Sequence, residues 1–131
     1  MADVRAPAAR PLSPHLQIYR FQINMAMSIL HRITGGALYA GTLLLAWWLV
    51  AAAASPSYFA FVNGLFGSSL GRLMLLGYTW AVLHHMLGGI RHAIWDKGRG
   101  LDLPSVDVLC WGTLILSVLL TLAIWGWALL G

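Results

Sequence analysis

The sequence has few charged residues and very few acidic ones. Only 9% of its 131 residues are charged, glutamate is absent, and the four acidic residues are all aspartates. An ordinary soluble domain carries about 25% charged residues. This composition therefore excludes a disordered chain, a nucleic-acid module and a water-soluble globule of this length. The single cysteine, Cys110, excludes an internal disulfide or a thiolate framework for a metal, and its apolar neighbours favour a small buried side chain.

Long apolar runs make up most of the chain, which is 60% hydrophobic with a mean hydropathy of +0.76. A helix needs about 20 apolar residues to cross the hydrocarbon layer, and breaks at 55–57 and 96–100 separate three such runs. We therefore predict an all-α membrane protein with three transmembrane helices. Ser105 is a possible N-cap of the third helix, and the connection around 55–69 is predicted as a loop with room for a short interfacial piece. The predicted boundaries are 1–26 for a polar N-terminal segment, 27–131 for the transmembrane domain, and about 27–54, 70–95 and 106–130 for its spans.

The basic residues predict how the chain is oriented. No formal charge lies between Arg32 and Arg72, and Arg72 is the one basic residue near the first connection. The other seven lie before or near the start of the first span, or at or near the second connection. Positive residues mark these sides as cytoplasmic. We predict a cytoplasmic N-terminus and a C-terminus on the opposite side. Because no long cleavable leader precedes the first span, a bacterial inner membrane is favoured over a mitochondrial one.

The second span contains an unusual set of ionisable residues, HHMLGGIRH over 84–92. Such groups are costly in a membrane, so each is a functional candidate. His85, Gly88, Gly89 and His92 share one helical face, and the glycines leave room for a flat macrocycle beside a buried imidazole. Imidazole is a common axial ligand of haem iron. The residues that could meet the haem propionates about two turns away are His31, Arg32, Arg91 and His92.

Other interpretations of these residues remain open at this stage. A histidine in a helix often hydrogen-bonds a neighbour, and paired glycines often permit close helix packing. His84 points about 100° away from His85, on a face with Gly88 and Arg91. It could be the iron ligand instead of His85, but a packed core histidine is the preferred interpretation.

A second polar cluster lies near the start of the first span. Ser28 and Arg32 are four residues apart and share a helical face, where a hydroxyl and a guanidinium could bind a ligand carbonyl that arrives from the lipid. The alternative is structural: Ser28 caps the helix and Arg32 extends to lipid phosphates.

These motifs resemble one known family. The stretches RPLSPHL (10–16), SILHRIT (28–34), HMLGGIRH (85–92) and WDKG (95–98) are similar to the cytochrome b membrane-anchor subunit of succinate dehydrogenase, respiratory complex II. The resemblance covers nearly the whole chain and includes the three-span plan. The small Ala93 and the additional His84 are departures from the family pattern.

The resemblance implies specific roles. His85 is expected to be an axial ligand of haem b, with the second ligand supplied by a sister anchor subunit, so that this chain is half of a haem-binding bundle. Ser28 and Arg32 are expected to help form the ubiquinone site, and His31, Arg32 and His92 to contact the propionates. Succinate oxidation is expected on partners, a flavoprotein with FAD and an iron–sulfur protein.

The predicted function is therefore that of a subunit of succinate:ubiquinone oxidoreductase that is not catalytic by itself and that passes electrons to quinone. A haem-free structural anchor of a similar complex is one alternative. A small proton or solute transporter subunit that uses its histidines as a proton relay is another. The location of the ionisable groups at one face, with only Asp107 at the start of the third span, disfavours the transporter.

Overall fold

The computed structural model describes residues 19–130, and most of the predicted polar segment, with the first quoted motif, lies outside them. Within this range the chain forms helices and no strands, which confirms the all-α prediction. The helices are α1 (Ile23–Ala54), α2 (Pro56–Gly67), α3 (Ser69–Asp96) and α4 (Leu103–Leu130). Three of them, α1, α3 and α4, are long and apolar enough to cross a membrane.

The first helix begins four residues before the predicted start at residue 27. Main-chain N–H groups of Met25 and Ala26 already donate to the oxygen of Gln22, at 3.1 and 3.3 Å. The sequence from Ile23 to Ala26 contains no proline or glycine, so nothing interrupts a helix that begins right after Gln22. Ser28 therefore lies inside α1, and the interpretation that it caps the helix is wrong.

The first connection is mostly helical rather than a loop, because helix-starting signals flank it. Ser55 accepts a hydrogen bond from the N–H of Tyr58 at 3.2 Å, and Pro56 occupies the first turn of α2, where its missing N–H costs nothing. The indole of Trp47 donates to the Tyr58 hydroxyl at 2.7 Å, which ties α2 back against α1. Ser68 ends α2 and caps α3 by accepting from the N–H of Gly71 at 3.1 Å.

The end of α3 follows the predicted glycine signal. The N–H of Gly98 donates to the oxygen of Trp95 at 2.8 Å, and the N–H of Arg99 reaches the oxygen of Ile94 at 3.4 Å. These two bonds form a Schellman motif, which needs a left-handed residue at its centre. Gly98 has a φ of 68°, a conformation that glycine adopts without steric cost.

The fourth helix begins at Leu103, three residues before the predicted start. The carboxylate of Asp102 accepts a hydrogen bond from the N–H of Ser105 at 3.1 Å. Asp102 therefore provides the cap, and the prediction that Ser105 is the N-cap is wrong. The pKa of Asp102 lies below its ordinary value because of the hydrogen bonds that it accepts from the side chain and the main chain of Ser105.

This lowered pKa predicts a pH-dependent start of α4. The Asp102 cap contributes fully above the ordinary aspartate pKa of about 3.9, and its contribution is lost as the pH falls through the lowered pKa of the folded protein. Amide hydrogen exchange at the first turn of α4, corrected for intrinsic rates, should rise on acidification. Asp102→Asn keeps an acceptor but does not titrate, so it should remove this pH dependence; an unchanged dependence contradicts the assignment.

The three long helices pack side by side in antiparallel order. The N-termini of α1 and α4 and the C-terminus of α3 share one end of the bundle, which we call the α1-start end; α2 lies at the opposite end. Polar contacts join α3 to α4 at three levels along the bundle. Such contacts guide helix association where lipid and side chains are equally apolar. The paired residues are Arg91 with Cys110, His84 with Ser117, and Thr79 with Trp125.

Candidate functional site

His85 lies on the side of α3 that faces α1. Its Nδ1 atom is 3.1 Å from the main-chain oxygen of His31 and 3.4 Å from the hydroxyl of Thr34. A carbonyl oxygen only accepts hydrogen bonds, so Nδ1 carries the ring proton in this contact. In the tautomer that carries its proton on Nδ1, the lone pair of Nε2 is free for another partner. All side-chain hydrogen bonds of His85 within residues 19–130 go through Nδ1, so the ring is anchored at one nitrogen and available at the other.

Two glycines let α1 and α3 approach closely enough to hold this ring. A Cβ added to Gly35 would stand 3.1 Å from Cε1 of His85, and one added to Gly88 would stand 2.5 Å from Nδ1 of His31. Each glycine therefore opposes an imidazole of the other helix. Sequence analysis identified Gly88 but missed Gly35, although the Gly35-Gly36 pair is a visible signal for a close helix contact.

A row of aromatic rings continues from His85 toward the α1-start end. The rings of His31 and His85 stack in parallel, with centroids 4.0 Å apart and an interplanar angle of 4°. His92 packs against the other side of this pair, 5.2 Å from His31, and meets Trp95 edge-on at 5.3 Å. The Nδ1 atom of His31 is buried and has no hydrogen-bond partner among the described residues. Any strong polar contact of its ring therefore has to use Nε2.

His84 lies in the contact between α3 and α4, and only 1% of it is exposed. Its Nδ1 atom is 3.3 Å from the hydroxyl of Ser117, which itself donates to the oxygen of Leu114 at 2.8 Å. Trp80 covers the ring at 5.0 Å between centroids. This environment matches the interpretation of His84 as a packed core histidine, and it points the ring away from His85. The sequence carried no signal for Ser117 as its partner.

Arg91 is also buried against α4, with 3% of its surface exposed. Its guanidinium donates to the sulfur of Cys110 at 3.6 Å and lies 5.1 Å above the ring of Trp95. Its Nε atom is buried and has no partner in the described part of the chain. A buried guanidinium without an ion-pair partner among residues 19–130 is electrostatically costly, and a bound anion would stabilise it. Arg91 thus contacts α4, whereas the rings of His31 and His92, with which it was predicted to gather, pack against each other.

Ser28 and Arg32 are both exposed on the outer surface of α1. They lie one turn apart, as the sequence spacing predicted, and neither side chain forms a hydrogen bond with another residue in 19–130. A hydroxyl and a guanidinium are therefore presented toward the surroundings of the bundle, at the α1-start end. Such a pair can bind a carbonyl or carboxylate oxygen.

The chemistry of the cluster fits a haem better than a small metal ion. No group of three or more histidine, cysteine or acidic side chains that could hold a metal occurs among the described residues. A haem needs from the protein only its axial ligands and polar contacts to its propionates. The available imidazole nitrogen of His85 and the half-buried ring of His31 stacked on it fit that smaller requirement. On the α4 side, Arg91 adds a buried guanidinium whose Nε has no partner among residues 19–130.

Fold and site together define a small polytopic membrane protein in which His31, His85 and His92 cluster between α1 and α3. Comparison with known proteins agrees with this class. The family model of the succinate dehydrogenase/fumarate reductase transmembrane subunit matches residues 7–124. The chain belongs to this family.

Similar proteins come from bacteria and from mitochondria. A succinate dehydrogenase cytochrome b556 subunit of Paracoccus denitrificans is 46% identical over 91% of this chain and 94% of its own length. One from Rickettsia felis is 39% identical over 88% of the chain and 90% of its own length. A mitochondrial cytochrome b560 subunit of Sus scrofa is 42% identical over 84% of the chain and 66% of its own length. With these bacterial relatives and three membrane-spanning helices, the protein is a multi-pass protein of the bacterial inner membrane.

Proposed function

We propose that this chain ligates haem b through Nε2 of His85 and helps form the ubiquinone-reduction site of a succinate:quinone oxidoreductase. The observation that carries the proposal is the hydrogen bond between Nδ1 of His85 and the main-chain oxygen of His31. It selects the tautomer that a metal ligand needs, and such a contact also raises the basicity of the ligating nitrogen. The cytochrome b names of the relatives support the same cofactor.

The propionates would meet positive or hydrogen-bonding groups of this chain. Arg91 is buried, and its Nε atom has no partner among residues 19–130. The Nδ1 atom of His31 is buried, so Nε2 is the ring nitrogen that His31 can offer to a propionate. Arg32 and His92 are exposed at the same end of the bundle. These groups would stabilise carboxylates because an anion relieves the cost of the buried guanidinium. When bound, the haem supplies a centre that accepts and returns single electrons.

Three proposed partner subunits and the lipid membrane complete this picture. The chain offers one axial ligand, so a second membrane-anchor subunit is proposed to supply the other and to complete the bundle. The succinate dehydrogenase names of the relatives support an iron–sulfur subunit and a flavoprotein with FAD as the soluble partners. The lipid membrane surrounds the exposed apolar faces of the three long helices.

The α1-start end is proposed to face the cytoplasm, where the soluble partners dock. Among residues 19–130, five of the six basic residues lie near this end, and the remaining one, Arg72, begins α3 at the opposite end. Positive residues concentrate on the cytoplasmic side of membrane proteins. This orientation brings Ser28 and Arg32 to the side at which electrons from succinate arrive.

Ser28 and Arg32 are proposed to bind the quinone headgroup. The Ser28 hydroxyl can donate a hydrogen bond to a quinone carbonyl, and the Arg32 guanidinium supplies a positive charge with several N–H donors. As the quinone takes up electrons, negative charge develops on its oxygens, and a fixed guanidinium in a site without bulk water stabilises that charge. Both side chains are exposed on the surface of the bundle, so a hydrophobic quinone can reach them from the membrane.

One experiment tests the proposal as a whole. The complex is purified in mild detergent by a tag on this chain, and a dithionite-reduced minus oxidised spectrum is recorded together with a subunit gel. We expect a b-type band and co-purification of a second small membrane subunit and the two soluble subunits. A complete complex without a b-type band contradicts haem ligation and favours the haem-free anchor. Proton or solute flux in liposomes from this chain alone would favour the transporter.

A further inference from the structure

The ring of His31 occupies a slot that the two helices build around it. Its plane lies parallel to that of His85 at 4.0 Å, and its Nδ1 edge is pressed against Gly88 of α3, where an added Cβ would come within 2.5 Å. His92 packs near it at 5.2 Å. The ring is thus held on several sides, yet its buried Nδ1 atom has no hydrogen-bond partner among residues 19–130. Shape rather than hydrogen bonding keeps the Nδ1 edge in place.

We propose that the His31 side chain is a positioning residue that sets the plane of the His85 ring, and that Gly88 is required because it admits His31. This inference rests on the proposed haem ligation by His85. The outer torsion of a histidine side chain is broad and roughly two-fold, so the helix backbone alone does not define the ring plane. The bond from Nδ1 to the main-chain oxygen of His31 selects which edge of His85 faces α1. The parallel stack then removes the remaining freedom to tilt.

The plane of an axial imidazole has a measurable consequence that differs from activity. In a low-spin ferric haem with two imidazole ligands, the angle between the two ligand planes determines how the iron orbitals split, and this splitting determines the g values. Groups outside the direct ligands control such orientations in metal sites. A change in the His85 plane should therefore shift or broaden the low-field g signal, even when the haem remains bound.

Gly88 allows a test that does not touch any polar group. In Gly88→Ala the new methyl would stand 2.5 Å from Nδ1 of His31, so the contact between the His31 ring and α3 has to open, and no polar group is replaced. If Gly88 acts through His31, removing the His31 side chain should make the methyl harmless. Coupling of this kind is what a double-mutant cycle measures. Gly112→Ala serves as the matched control, since an added Cβ there has open space.

A second pair of variants separates stacking from any contact of His31 with a propionate. His31→Phe keeps a flat ring that can stack on His85 but cannot form a hydrogen bond. His31→Ala removes the ring while leaving the main-chain oxygen that accepts from His85. If stacking sets the ligand plane, His31→Phe should keep the parental g values and His31→Ala should not.

The experiment is carried out on the whole purified complex, with haem content measured chemically and the ferric haem by electron paramagnetic resonance. We expect Gly88→Ala to shift the low-field g signal, His31→Ala to broaden or shift it, and the double variant to match His31→Ala alone. Gly112→Ala should match the parent, and the haem that His31→Phe retains should keep the parental g values. Loss of haem in Gly88→Ala that the double variant restores also supports the inference.

Parental g values in both Gly88→Ala and His31→Ala would overturn the inference. So would additive effects of the two substitutions in the double variant. Haem loss in Gly88→Ala that the double variant does not restore would overturn it as well. A shifted signal in His31→Phe equal to that of His31→Ala would also overturn it, because hydrogen bonding and not stacking would then matter. In all these outcomes the parental complex still contains haem, and haem ligation stands. Absence of haem from the parental complex would instead overturn the proposed function.

Discussion

Replacing His85 with alanine should abolish the b-type absorption band of the purified complex. The substitution removes Nε2, the ring nitrogen of His85 that has no hydrogen-bond partner among residues 19–130, whereas Nδ1 is engaged by the main-chain oxygen of His31. Changes to groups that merely support a ligand typically cost 10–100-fold in metal affinity, and removal of the ligand itself should exceed this. The measurement is the reduced-minus-oxidised spectrum, normalised to the amount of the chain on a gel.

The matched control for this prediction is the neighbouring histidine. His84→Ala removes a ring of the same size from the next position, where it is buried against Ser117 and Trp80. It should lower the stability of the α3–α4 contact and leave the b-type band in the protein that assembles. If His84→Ala abolishes the band and His85→Ala keeps it, the ligand assignment is reversed, and the stacked cluster between α1 and α3 has another role.

Replacing Arg32 with leucine should lower succinate-to-quinone turnover by about 100-fold, because loss of a donor that stabilises developing negative charge typically costs 10²–10³-fold. Ser28→Ala removes a neutral hydrogen bond of about 1 kcal/mol and should lower the rate about fivefold. Succinate oxidation with an artificial acceptor should stay close to the parental rate in both variants. The reason is that the soluble partners, and not this chain, are proposed to oxidise succinate.

Arg72→Leu is the control for Arg32→Leu, since Arg72 is likewise exposed but lies at the opposite end of the bundle. It should leave quinone turnover unchanged. Full quinone turnover in both Ser28→Ala and Arg32→Leu would show that the quinone site lies elsewhere. Equal loss of both activities would show that the substitutions disturb assembly of the complex rather than quinone binding.

Several local features of the fold could be predicted because each depends on a short stretch of chain. The break at Ser55-Pro56 and the end of α3 at Gly98 are set by backbone preferences of proline and glycine, and the structure confirms both. The predicted starts of α1 and α4, at residues 27 and 106, lie later in the chain than the observed starts at Ile23 and Leu103. Hydropathy marks where a helix enters the lipid, whereas hydrogen bonding to Gln22 and Asp102 decides where it begins.

The directions in which side chains face could not be predicted in the same way. In a soluble helix the apolar stripe marks the buried face. In a membrane the lipid-facing side is as apolar as the core, so α3 carries no such stripe to tell His84 from His85. The family resemblance selected His85 as the ligand, while the contacts that distinguish the two rings appear only once α1 and α4 pack on opposite sides of α3.

The sequence by itself determined the class of this protein: scarce charge and three long apolar runs leave no other way to satisfy the backbone than membrane-spanning helices. Its motifs also determined the family. Only the tertiary structure decided which imidazole nitrogen is free, which glycine opposes which ring, and that Arg91 turns toward Cys110. These contacts depend on the distance between two packed helices and on the rotation of each helix about its axis. The shapes of all the side chains between the helices together determine both quantities.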